Sequence, residues 1–126
     1  MEQDCTEMMG ILAREAGRTL NDGLSEVREA IDFCRYYALQ ARKLGEAQEE
    51  DYQGRGVFLC ISPWNFPLAI FTGQIAAALA TGNSVIAKPA MQTPIIASYT
   101  VKPFHRAGVP GNVLTLLLGS GSKIGK

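Results

Sequence analysis

Three short apolar runs, at residues 57–61, 84–87 and 113–117, set the frame into which the rest of the chain must fit. Each is rich in β-branched and aliphatic residues, and each is too short for a core helix, so they read as buried strands, with 57–61 covered on both faces. The stretches between them are long enough to hold a helix, and a parallel pair needs such a crossover. The region around Ile70 to Ala80 is broken by Thr72, Gly73 and Gln74. It is too short and too polar for a bilayer span and reads as a buried helix. That helix can start at Pro67 and end near Thr81, where Gly82-Asn83 stops it. Pro94 suits the first turn of the next helix, which runs toward Arg106 and is closed by Gly108 and Pro110. Pro103 should kink or shorten it. The order is β-α-β-α-β, with right-handed crossovers and a glycine-rich turn where a third helix begins. Half of a doubly wound, nucleotide-binding parallel sheet is the expected α/β fold.

The chain before residue 51 is different in kind: charged, helix-forming and without proline. Cys5, Met8, Met9, Leu12 and Ala16 follow helical spacing, with Gly17 as a C-cap. Leu24, Val27, Ile31, Cys34, Ala38 and Ala41 make a second apolar stripe. Thr19 with Asp22 resembles a capping box at its start and Gly45 would end it, leaving an exposed acidic connector from Glu46 to Asp51. The expected organisation is an N-terminal helical segment, 1–51, followed by the sheet-forming segment, 52–126.

Composition narrows the function classes. With 12 basic and 12 acidic residues among 126, the usual reason to propose a nucleic-acid or membrane-surface partner is missing. Met1-Glu2-Gln3-Asp4 lacks the basic and apolar regions of a signal peptide. Three cysteines, Cys5, Cys34 and Cys60, have no metal-ligand spacing and read as reduced thiols of a cytoplasmic protein.

In a doubly wound sheet, ligands bind beyond the C-terminal ends of the strands. Residues 62–67, 88–93 and 119–125 fall there, and they contain every polar or conformationally special candidate. Gly119-x-Gly121-x-x-x-Gly125 can bring a backbone turn against a pyrophosphate, or it can be a flexible strand-to-helix turn. It is not a Walker A loop, because Ser120 stands where that motif needs glycine. Nor does it follow the first strand, where the usual dinucleotide fingerprint belongs, and Lys88 occupies the place of the usual ribose-binding acid. Lys88 itself fits either a ligand contact or a solvated rim. Asn65, set between Trp64 and Phe66 and bracketed by Pro63 and Pro67, is a rigidly held amide suited to donate to an oxyanion. An Asn bonded to its own turn is the plainer alternative. His105, without a paired carboxylate or serine, reads as a surface residue, and Cys60 as packing.

Ile61-Ser62-Pro63-Trp64-Asn65-Phe66-Pro67, then Gly82-Asn83-Ser84-Val85-Ile86-Ala87-Lys88-Pro89, then Gly108-Val109-Pro110-Gly111-Asn112-Val113 resemble the aldehyde dehydrogenase superfamily in order and spacing. The resemblance runs from about residue 10 to the end. It implies a variant of the Rossmann fold that lacks the fingerprint after the first strand. It implies that Asn65 is the catalytic oxyanion-hole asparagine. Ile61, Ser62, Pro63 and Trp64 would line the cofactor site, and Lys88, with Ala90 and Met91 following it, would lie at the adenosine ribose. Gly121 and Gly125 would meet the phosphate region. NAD is the implied cofactor, with NADP possible. The family often has Glu at the position of Met91, and methionine cannot accept the ribose hydrogen bonds.

Arg55-Gly56-Val57-Phe58-Leu59-Cys60-Ile61-Ser62, Phe71-Thr72-Gly73-Gln74 and Phe33-Cys34-Arg35-Tyr36-Tyr37 are most similar to the 1-pyrroline-5-carboxylate dehydrogenase branch, in particular the domain of bifunctional proline-utilisation proteins. That implies oxidation of L-glutamate γ-semialdehyde to glutamate in proline catabolism, by a homo-oligomeric parent enzyme. Another aldehyde substrate within the superfamily, or a non-catalytic nucleotide-binding module, are the alternatives. The family's nucleophilic cysteine and its water-activating glutamate have no counterpart among these 126 residues. The chain is accordingly expected to be an inactive leading fragment of a larger protein.

Overall fold

The computed structural model describes residues 1–46 and 52–125. After a single 3-10 turn, Glu2–Asp4, the elements are α1 (Cys5–Glu15), α2 (Leu20–Glu46), β1 (Val57–Ile61), α3 (Ala69–Ala80), β2 (Ser84–Lys88), α4 (Pro94–Arg106), β3 (Leu114–Leu116) and α5 (Gly121–Ile124). The strands form one parallel sheet in the order β1-β2-β3, with Cys60 opposite Ala87 and Ala87 opposite Leu116. The expected β-α-β-α-β order holds. β3 is one residue shorter at each end, although the Val113 carbonyl still accepts the Val85 N–H and the Leu117 N–H still donates to the Ala87 carbonyl.

Strand order advances in one direction, so crossovers of one hand put α3 and α4 on the same face. Phe71, Ile75 and Ala78 of α3 and Ala97 and Val101 of α4 bury against Cys60, Val85, Ala87 and Leu114. These strand positions alternate, as the two-residue period of a strand requires. The expectation that residues 57–61 are covered on both faces does not hold among the described residues. Val57, Leu59 and Ile61 point away from the helices and are 66%, 55% and 56% exposed. Residue type shows that a strand is apolar, but not which later segment covers it.

A second core joins the N-terminal helices to the sheet layer. Met8 and Leu12 of α1, Val27 and Ala30 of α2, Leu68 and Ile96 are all buried together. The apolar stripes of α1 and α2 therefore end on the first turns of α3 and α4, not on each other alone. Two carboxylates complete these joints. Glu15 accepts the N–H groups of Ile95 and Ile96 at 2.8 and 2.9 Å. Glu26 accepts those of Leu68 and Ala69 at 2.8 and 3.3 Å. Each satisfies the orphan donors at a helix start, from another helix.

The Thr19–Asp22 cap is present, with the Asp22 N–H donating to Thr19 Oγ1 at 3.1 Å. Gly45, by contrast, does not end α2, which continues to Glu46. Glycine in a helix costs only about 1 kcal/mol, too little by itself to stop a long helix. The rest of the expected connector, residues 47–51, lies outside the described residues. α3 begins at Ala69 instead of Pro67, because Glu26 already engages the Leu68 and Ala69 N–H groups and Leu68 becomes the N-cap. Pro103 does not shorten α4, which continues to Arg106 with Val101 buried and Phe104 packed against the core.

The turn from α3 into β2 is fastened by Asn83. Its amide donates to the Ala78 and Thr81 carbonyls at 3.2 and 3.1 Å, while its Oδ1 accepts the Gly56 N–H at 3.1 Å. There the chain before β1 passes so close that a Cβ on Gly54 would lie 2.3 Å from the Gly82 carbonyl oxygen. This joint holds the start of β1 beside the start of β2, and fixes the register that carries Ile61 and Lys88 to one edge.

Candidate functional site

Parallel pairing brings the three expected segments to the C-terminal edge of the sheet. Ser62 N–H donates to the Lys88 carbonyl at 3.2 Å, and Leu117 N–H to the Ala87 carbonyl at 2.9 Å. The chain therefore leaves β1, β2 and β3 side by side.

The residues implied for a cofactor fall into two groups there. Pro89, Ala90, Met91 and Pro94 face Leu118 and Gly119 across a cleft of about 290 Å³. Ala90 and Met91 are thus brought together with the glycine-bearing turn, Met91 on its exposed rim. Lys88 stands half-buried at the root of this loop, its ammonium 3.3 Å from the Pro89 carbonyl. Gly121 and Gly125 lie outside the lining of the cleft, at either end of the four-residue α5, where Gly125 N–H bonds the Gly121 carbonyl at 2.9 Å. A Cβ on Gly125 would meet that carbonyl at 2.9 Å, so the turn is closed tightly on itself.

The second group follows β1. Ser62 is buried, and its hydroxyl oxygen has no hydrogen-bond partner among the described residues. An orphaned buried hydroxyl is a cost unless a ligand or water meets it. Gln74 Nε2 donates to the Ile61 carbonyl at 3.1 Å and fixes the strand end. Ile61 turns its side chain to the open sheet face, while Pro63, Trp64 and Asn65 project exposed beyond the strand. Asn65 and the cleft at Met91 are therefore separate features of the same edge.

Two residues that sequence pattern did not single out hold the Asn65 turn. The Arg18 guanidinium donates to the Asn65 carbonyl oxygen and lies 4.3 Å over the Phe66 ring. Its Nε is 3.3 Å from Glu26, whose side chain is almost fully buried. Glu26 lies off the 24-27-31-34 spacing, so apolar periodicity carried no signal for it. The two remaining side-chain expectations hold. His105 is exposed at the end of α4, bonded to the Val109 carbonyl at 2.8 Å. Cys60 is buried, and burial pushes its thiol pKa up, away from reactive thiolate chemistry.

Comparison with known proteins places this edge in a wider context. The sequence profile of the aldehyde dehydrogenase family matches residues 1–126. The bifunctional protein PutA of Klebsiella aerogenes is 56% identical, over 99% of this chain and 9% of that protein. The 1-pyrroline-5-carboxylate dehydrogenase of Anoxybacillus flavithermus is 42% identical, over 94% of this chain and 25% of that enzyme. Among solved structures, a Thermus 1-pyrroline-5-carboxylate dehydrogenase with bound NAD superposes with a TM-score of 0.88 at 36% identity, covering 98% of this chain and 26% of that one. Bradyrhizobium japonicum proline utilization A, as a D779W mutant, gives 0.84 at 50% identity, covering 91% and 13%. The chain spans about a quarter or less of these relatives, and the family profile extends through the whole of its own length. The chain belongs to the aldehyde dehydrogenase family.

Proposed function

We propose that this segment is the first part of the NAD(P)-binding domain of an aldehyde dehydrogenase that oxidises L-glutamate γ-semialdehyde to glutamate in proline catabolism. Residues 52–126 would supply the sheet and residues 1–51 the helical segment that braces it. The observation that carries the reading is the turn bearing Asn65 at the C-terminal end of β1, on the same sheet edge as the cleft at Met91. The substrate assignment draws support from relatives named as PutA and 1-pyrroline-5-carboxylate dehydrogenase.

The edge fits a dinucleotide. It offers an orphaned buried hydroxyl at Ser62, a cationic Lys88 and an apolar cleft between two chain turns. Ile61, Ser62, Pro63, Trp64, Lys88, Ala90, Met91, Gly121 and Gly125 would hold it. The nicotinamide supplies a hydride acceptor when bound. The Asn65 amide donates to the substrate oxygen as negative charge develops there, which is where fixed donors have most effect. The thiolate that creates that charge would come from elsewhere in the larger enzyme, as would the contacts that make it a homo-oligomer.

The experiment is a substrate panel on the full-length enzyme carrying this segment, with NAD and NADP. The expected result is highest kcat/KM for L-glutamate γ-semialdehyde. Preference for an unrelated aldehyde would move the assignment elsewhere in the family, and NAD(P) binding without any turnover would favour a non-catalytic module.

A further inference from the structure

The Asn65 amide is not restrained by any hydrogen bond of its own among the described residues, so its aim depends on the backbone that carries it. That backbone is held from one side by Arg18. The left-handed turn at Gly17, with φ of 65°, reverses the chain after α1, and the Arg18 N–H bonds back to the Leu12 carbonyl at 3.3 Å. The side chain is thereby sent toward the Asn65 turn. Its planar head then meets three partners at once: it forms an ion pair with the Glu26 carboxylate without a hydrogen bond to Oε2, donates to the Asn65 carbonyl oxygen and stacks over the Phe66 ring. Glu26 is in turn fixed by the Leu68 and Ala69 N–H groups at the start of α3.

We propose that Arg18 is a positioning residue for the reaction, anchored by Glu26, which sets the backbone of Asn65 and so the direction in which its amide donates. The proposal rests on the reading of Asn65 as the oxyanion donor. A guanidinium is required because its donors are arranged in a fixed fork and it stacks on an aromatic face, whereas an ammonium offers a single point charge. Glu26 matters because it is nearly buried and links Arg18 to the start of the helix that follows the turn. Donor geometry is worth most when it is fixed before the reaction, and a displacement of the order of 1 Å can cost about a hundredfold in rate.

A mutant cycle on the full-length enzyme tests this with Arg18→Met, Asn65→Ala and the double variant. Arg18→Met should lower kcat at least about tenfold, as a misplaced donor does, with the dinucleotide Kd unchanged. In the Asn65→Ala background the same substitution should have almost no further effect on kcat. A purely structural role for Arg18 would give the same fold-loss in both backgrounds, and that result would overturn the proposal. So would an undiminished kcat in the single Arg18→Met variant. If Arg18→Met fails to fold, Arg18→Lys takes its place in the cycle, since it keeps a charge beside Glu26 while losing the fork. An Asn65→Ala enzyme with undiminished kcat would overturn the reading of Asn65 itself, and this proposal with it.

Discussion

Glu15, the last residue of α1, accepts the backbone N–H of Ile96 at 2.9 Å across 81 positions of sequence. Glu26 of α2 does the same for Leu68, so each N-terminal helix caps one crossover helix of the sheet. These are local devices, and their removal should be felt locally. Glu15→Ala should speed hydrogen exchange in the first turn of α4 by about tenfold, the effect of losing a cap of about 1.4 kcal/mol. α3 should be unaffected by that change. Glu26→Ala should act on α3 instead and cost about 3 kcal/mol, because it also strands the Arg18 guanidinium. Exchange that rises equally in both helices for either variant would show that the caps do not act separately.

Met91 sits on the rim of the cleft, where its thioether is only a weak hydrogen-bond acceptor for ribose hydroxyls. Met91→Glu in the full-length enzyme should tighten NAD binding by about fivefold to tenfold, the worth of one charge-assisted hydrogen bond at a partly exposed site. NADP binding should weaken, since a carboxylate repels its phosphate. Unchanged affinities for both would remove Met91 from the account of cofactor choice.

Val57, Leu59 and Ile61 present an apolar strip on the sheet face opposite α3 and α4. An exposed face of this kind beside an unpaired strand edge favours association. The isolated 126-residue chain should therefore aggregate and show no dehydrogenase activity. Leu59→Lys should raise its solubility, yet lower the thermal stability of the full-length enzyme, where the same face would be covered. An isolated wild-type chain that is monomeric with a sharp melt would contradict this.

The parts of the fold legible from residues alone were those with local causes. The β-α-β-α-β order follows from short apolar runs alternating with helix-length stretches, and Pro94 and Thr19 mark helix starts by their own chemistry. The C-terminal edge was legible for the same reason, since strand direction puts residues 62, 88 and 117 together. What sequence could not reveal depends on partners far along the chain. Glu15 and Glu26 act on N–H groups 80 and 42 positions away, and nothing near either residue announces that. Coverage of β1 is a property of whatever packs on it, and no segment among the described residues covers the face of Val57, Leu59 and Ile61. Gly45 lies in an exposed last turn of α2 that runs one residue past it, and Pro103 leaves α4 reaching Arg106 as its spacing implied.

The central claim concerns Asn65, and kcat of the Asn65→Ala full-length enzyme tests it most directly. A preorganised oxyanion donor should account for about 10²–10³ in kcat, with NAD affinity unchanged because the amide acts on the substrate oxygen. That loss is the predicted result. A variant with wild-type kcat, or one whose whole defect lies in NAD binding, would contradict the account.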